Sequence, residues 1–125
     1  MILIVDDSPV DIELTTLAIK ATGREVCVHS AVDGESALAM LRSKLPALML
    51  LDLKMPGMSG IEVLRKIRAD DRLRGLPVVV VTSSSLESDK AEAIAAGASY
   101  YLQKPWSLDQ FSKELESLLN RWVPH

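Results

Sequence analysis

Leu48-Met49-Leu50-Leu51-Asp52-Leu53-Lys54-Met55-Pro56-Gly57-Met58-Ser59-Gly60 is the stretch on which the fold turns. Four apolar residues run without alternation into one carboxylate, the pattern of a strand covered on both faces. The Pro56-Gly57 pair then turns the chain. Ser59 opens a helix, with Glu62 three residues later at capping-box spacing. Asp52 is therefore expected at the mouth of a buried strand. An aspartate there can simply cap a turn, so its meaning depends on what the rest of the chain brings beside it.

Outward from this stretch the same alternation recurs. Residues 1–5 form a short apolar strand ending at Asp6-Asp7, after which Ser8 and Pro9 stand as N-cap and first helical residue. Val10, Leu14, Leu17, Ala18 and Ala21 recur at helical spacing, and Gly23 ends that helix. A second strand is expected over 25–30, with Cys27 a small core residue between Val26 and Val28. Asp33-Gly34 leads into a helix carrying Ala37, Leu38 and Leu41, and Pro46 precedes the third strand, 47–51. Ile61, Leu64 and Ile67 turn the third helix inward. Pro77 introduces Val78-Val79-Val80-Val81, a fourth apolar strand ending at Thr82. An alanine-rich helix follows over about 87–96, closed by Gly97. Ser99 to Leu102 is a fifth strand, followed by Gln103-Lys104-Pro105. Ser107 and Gln110 have capping-box spacing, and Leu108, Phe111, Leu115, Leu118, Leu119 and Trp122 stripe the last helix. Five strands alternating with five helices imply an α/β fold with a parallel sheet and helices on both faces, a three-layer (βα)5 sandwich formed by residues 1–125 as one domain.

Composition sets the outer bounds. The chain has 125 residues, 48% apolar and 25% charged, enough for one buried core and unlike a disordered segment. No apolar run approaches the roughly 20 residues that cross a bilayer. The amino terminus lacks the basic region of a signal peptide, so a cytoplasmic location is expected. One cysteine excludes an internal disulfide and a cysteine-built zinc site. A formal charge of −3 argues against direct nucleic-acid binding. The cluster Arg65, Lys66, Arg68, Arg72 and Arg74 reads as the solvated face of a helix and its exit loop.

In an open parallel sheet, ligands bind outside the carboxyl ends of the strands, where strand order reverses. Here those ends carry Asp6-Asp7, Asp52, Thr82 and Lys104, while the second strand, ending at His29-Ser30, contributes nothing obvious. A flavodoxin-like, doubly wound order of 2-1-3-4-5 would gather them in one crevice. Three carboxylates there must raise their pKa values or hold a cation, and hard oxygen ligands with room for water suit Mg2+. Lysine, hydroxyl, metal and carboxylate together make a cradle for a phosphoryl group, with Asp52 as the in-line nucleophile.

The motifs Val5-Asp6-Asp7, Leu51-Asp52-Leu53-Lys54-Met55-Pro56-Gly57-Met58-Ser59-Gly60, Val81-Thr82-Ser83 and Lys104-Pro105 resemble those of the receiver domains of two-component response regulators, over essentially all of 1–123. The resemblance implies the 2-1-3-4-5 order. It implies that Asp52 accepts phosphate from a phosphohistidine of a sensor histidine kinase or phosphotransfer protein. Asp6, Asp7, Asp52 and the backbone carbonyl of Lys54 would hold Mg2+, Thr82 would contact the phosphoryl group, and Lys104 would pair with it. Tyr101 matches the family's switch aromatic, which turns with Thr82 to rearrange the face of the fourth helix, fifth strand and last helix. The Lys104-Pro105 bond is typically cis in this family, and Lys54 and Ser84 occupy variable positions that tune loss of the phosphoryl group. Ser83-Ser84-Ser85 and Tyr100-Tyr101 look closest to single-domain receivers that partner phytochrome-type kinases.

Three rival readings have definite marks. A phosphatase or dehalogenase with a nucleophilic aspartate would carry a second acid where Ser8 stands. A phosphate-independent interaction module usually lacks one of the key residues, and none is lacking here. A flavin phosphate needs donors where Asp6-Asp7-Ser8-Pro9 is acidic. The protein is thus expected to be no enzyme beyond its own phosphorylation and dephosphorylation, a monomer or homodimer. Its output could be a bound target, a relay step or a phosphate sink, and the sequence could also be a piece of a longer chain.

Overall fold

The structure, a computed structural model, describes residues 1–104 and 107–124. Its elements alternate throughout: β1 (Ile2–Val5), α1 (Pro9–Ala21), β2 (Val28–Ala31), α2 (Gly34–Ser43), β3 (Leu48–Leu51), α3 (Gly60–Ala69), β4 (Val78–Thr82), α4 (Glu87–Ala95), β5 (Tyr100–Gln103) and α5 (Leu108–Trp122). All neighbouring strands are parallel, in the order β2-β1-β3-β4-β5. β1 is paired on both sides, with Val5 opposite Ala31 and Leu51. The expected flavodoxin-like α/β architecture is the observed one.

The unbroken apolar runs are explained by the sheet's two faces. Leu3, Val5, Met49, Leu51, Val78 and Val80 point to the side covered by α2 and α3. Ile2, Ile4, Leu48, Leu50, Val79 and Val81 point to the side covered by α5 and the inner face of α1. Every residue of β1, β3 and β4 is buried. Each large aliphatic side chain so buried contributes about 2 kcal/mol.

The connection from β3 to α3 is built by glycine and a cap. Gly57 takes φ +74, which its lack of a Cβ makes cheap. At Gly60 the helix start presses against the strand end, where a Cβ would sit 2.2 Å from the Asp52 carbonyl oxygen. The Ser59 hydroxyl accepts from the Glu62 N–H at 3.3 Å and the Glu62 carboxylate accepts from the Ser59 N–H at 3.5 Å, completing the box. At α5 only half of the corresponding box forms among the described residues, Ser107 Oγ accepting from the Gln110 N–H.

Five expectations are corrected, four of them in the bounds and packing of strands and helices. β2 starts at Val28, three residues later than expected, because it pairs only with β1, whose first strand residue lies opposite Val28. Cys27 is exposed, since the edge strand's alternation turns Val26 and Val28 inward and Cys27 out. On α1 the buried residues are Thr15, Ala18 and Ile19, whereas Val10, Leu14 and Leu17 are 65%, 46% and 44% exposed. Leu108 of the α5 stripe is exposed as well.

The basic cluster is not simply a solvated face. Arg68 Nε donates to the Gly97 carbonyl at 2.8 Å, and Nη1 donates to those of Leu76 at 2.7 Å and Arg74 at 3.1 Å. Arg72 donates to the Leu41 carbonyl. These guanidinium groups close helix and loop ends, and burial lowers the Arg68 pKa.

Candidate functional site

Each polar residue at a strand mouth is held by one ladder bond beyond its strand. The Asp6 N–H donates to the Ala31 carbonyl at 3.1 Å, the Asp52 N–H to that of Val5 at 2.9 Å, and the Lys104 N–H to that of Thr82 at 2.6 Å. Side chains that follow are thereby aimed into one crevice rather than carried on mobile loops. Asp6 and Asp52 are 4% and 7% exposed, Thr82 is wholly buried, and Asp7 is open to solvent.

Lys104 crosses the sheet end to reach the acids. Its ammonium lies 2.9 Å from Asp6 Oδ2 and 3.3 Å from Asp52 Oδ2. It lies 2.7 Å from Asp11 Oδ2, a carboxylate in the first turn of α1. Burial opposes the lysine's charge, but the carboxylates of Asp11 and Asp6, with Asp52 beside them, outweigh it and hold Lys104 above the ordinary lysine value. Burial also raises Asp6, against the N–H of Ser8 and the ammonium of Lys104. The Lys54 N–H donates to Asp52 Oδ1 at 3.3 Å, which sets Lys54's backbone beside the carboxylate.

One carboxylate oxygen from each of Asp6, Asp7 and Asp52 lies within 4.8 Å of the others. Oxygens sharing a Mg2+ at about 2.1 Å stand roughly 3–4 Å apart, so a small closure of this group fits the ion. The donor set is all hard oxygen, as Mg2+ requires, and Asp7 faces water that the ion can retain. The residues fit the cation.

A second network leaves the crevice toward α4. Ser84 Oγ donates to Asp89 Oδ2 at 2.5 Å, and Lys54 Nζ stands 3.4 Å from the same oxygen. The Ser84 hydroxyl, and then Lys54, hold the Asp89 carboxyl below its usual range. The Ser84 N–H donates to Thr82 Oγ1 at 3.4 Å, and the Tyr101 hydroxyl donates to the Ser84 carbonyl at 3.0 Å. Burial shifts the half-buried Tyr101 upward.

The structure thus brings together Asp6, Asp7, Asp52 and Lys104, with Thr82 at the neighbouring strand end and the Lys54 backbone beside Asp52, while Tyr101 stands off, joined to Ser84. The Lys104–Pro105 bond lies outside the described residues. Sequence reasoning missed Asp11 and Asp89. Both are acids in the first turn of a helix, α1 and α4, where an acid reads simply as a complement to the helix dipole.

The family model for the response regulator receiver domain matches residues 2–116. The probable transcriptional regulatory protein TcrX of Mycobacterium tuberculosis is 36% identical over 120 residues, which are 96% of this chain and 50% of that protein. The chain therefore spans about half of that relative's length. Protein PilH of Pseudomonas aeruginosa is 33% identical, with 94% of this chain and 96% of PilH covered. The phosphorylated cyanobacterial phytochrome response regulator RcpA superposes with a TM-score of 0.87 at 30% identity, covering 98% of this chain and 92% of that one.

Proposed function

The chain belongs to the response regulator receiver domain family of two-component systems, and on that premise we propose that Asp52 takes a phosphoryl group from the phosphohistidine of a sensor kinase or phosphotransfer protein. The observation that carries this reading is the Lys104 ammonium, which joins Asp6 and Asp52 from three separate strand ends. An Asp52 oxygen attacks phosphorus in line, the P–O bond forms as the donor's P–N bond breaks, and the electron pair leaves with the imidazole. Asp6, Asp7, Asp52 and the Lys54 carbonyl would hold Mg2+, which when bound neutralises charge on the phosphoryl oxygens. Lys104 pairs with one of those oxygens and the Thr82 hydroxyl donates to another.

The donor's approach is supported by α1. Val10, Leu14 and Leu17 form an exposed apolar stripe, and Leu14 shares a cavity of about 80 Å3 with Asp11, Lys104 and Phe111. A helical partner packed on that stripe would present its phosphohistidine at the crevice. The output is proposed to run to the opposite side. As Thr82 turns to the phosphoryl group it leaves the Ser84 N–H, and Tyr101 exchanges its bond to the Ser84 carbonyl for the vacated space. A cavity of about 160 Å3 lies against Tyr101, Ser84 and Leu86. Exposed Leu86, Ile94 and Tyr100 give the α4–β5 edge an apolar character, which suits a target protein or a second copy of the chain. Lys54 and Ser84, flanking the site, would tune loss of the phosphoryl group to water. No helix of the described residues is long and apolar enough to cross a membrane, in keeping with a regulator that meets its partners in the cytoplasm.

The test is direct. With acetyl phosphate and Mg2+, the protein is expected to gain one phosphoryl mass, lost on EDTA treatment before donor addition. Asp52→Asn is expected to gain none. A phosphorylated Asp52→Asn protein would remove the assignment.

A further inference from the structure

We propose that Asp11 is a positioning residue that holds Lys104 in the resting state and competes with the incoming phosphoryl group for its ammonium. The proposal rests on the reading of Asp52 as phosphoryl acceptor. An ammonium has three N–H donors, and here three carboxylates take them, those of Asp11, Asp6 and Asp52. The distances rank the partners, 2.7 Å to Asp11, 2.9 Å to Asp6 and 3.3 Å to Asp52. Lys104 thus leans toward α1 and away from the carboxylate at which the phosphoryl group arrives.

The three acids differ in what they lose when the lysine moves. Asp6 is buried and pays desolvation if left unpaired. Asp52 is itself the acceptor. The side chain of Asp11 is 37% exposed, so water can take the lysine's place there. Asp11 is also absent from the group of oxygens close enough to share a cation, which comprises Asp6, Asp7 and Asp52. Its link to the chemistry runs through Lys104, its side-chain partner among the described residues. Backbone bonds fix its position, the Asp11 N–H donating to Ser8 Oγ at 3.3 Å and the Asp11 carbonyl accepting from Thr15 Oγ1 at 2.8 Å. Asp11 is therefore a rigid rival claimant on the Lys104 ammonium. It sets the affinity of the site for that group without touching it.

Beryllofluoride, a tetrahedral mimic of the acyl phosphate, measures this affinity by calorimetry at saturating Mg2+. Asp11→Asn is expected to bind it about three- to fivefold more tightly than the unaltered protein, the range of a partly exposed ion pair. The KM for acetyl phosphate should fall by the same factor, with kcat little changed. Asp11→Glu, which keeps the charge, is expected to return toward the original affinity. A readout free of metal and donor is the 15N signal of the Lys104 ammonium, which should shift in Asp11→Asn and far less in Asp11→Glu. Equal or weaker beryllofluoride binding by Asp11→Asn overturns the competition. If the unaltered protein fails to bind beryllofluoride, the fault lies with the Asp52 reading instead, so the two failures are told apart.

Discussion

Gly60 shows how a single hydrogen in place of a methyl group can hold a site together. A Cβ at this position would lie 2.2 Å from the Asp52 carbonyl oxygen and 2.8 Å from the Leu53 Cα, backbone atoms that cannot swing aside. Gly60→Ala is expected to lose about 1–3 kcal/mol in urea unfolding and to slow phosphorylation of Asp52. Gly75→Ala, with nothing within 4 Å of the added carbon, should be neutral or gain up to about 1 kcal/mol. At Asp33 the prediction concerns pH. The Ser36 N–H at 2.7 Å holds this N-cap carboxyl below the ordinary value of 3.8. A folded-state pKa below the unfolded one gives stability that is complete above 3.8 and lost as pH falls through the lower folded value. The stability difference between the protein and Asp33→Asn, followed by circular dichroism, should therefore shrink in that acid window. Asp6, Asp52 and Thr82 were legible in the sequence because each directly follows an apolar run, and Lys104 because it stands just past the end of the fifth strand. Asp11 and Asp89 were not, because what gives them meaning is a contact with Lys104 and with Lys54 and Ser84, which only the assembled crevice supplies.

Among the elements, strands were easier to read than the helix that packs across them. β1, β3 and β4 are buried on both faces, so their apolar runs have only one interpretation. α1 carries two apolar stripes that meet at Ala18, which is buried as expected, and periodicity alone favoured the exposed one, Val10, Leu14 and Leu17. Thr15 turns inward because its hydroxyl is satisfied by the Asp11 carbonyl, and it brings Ala18 and Ile19 with it. Ile19→Ala is expected to cost about 2–5 kcal/mol, against less than about 1 kcal/mol for exposed Leu17→Ala, both from denaturant midpoints. The same correction at β2 has a chemical readout. Cys27 faces solvent, so the folded protein should react with a thiol reagent such as dithionitrobenzoate at nearly the rate of the unfolded chain.

At the scale of the whole molecule, the sheet separates two jobs. Its carboxyl end carries the acids and Lys104, while the opposite end is tied by Arg68, which binds the exit of α3, the loop before β4 and the turn after α4. Arg68→Met should keep the side chain's packing but strand three carbonyls. We expect it to speed amide exchange in residues 74–76 and 97–99, with a stability loss of about 2–3 kcal/mol. The consequence reaches α4. Its carboxyl end is pinned at Gly97, whereas its first turn is fastened by Ser84 and an exposed ion pair to Lys54. We expect α4, once that first turn is released, to move as a lever about the pinned end. Nine residues give it an arm of about 13 Å, so a tilt of about 10° sweeps its free end by roughly 2 Å, more than enough to open or shut a side-chain pocket, while the pivot end stays still.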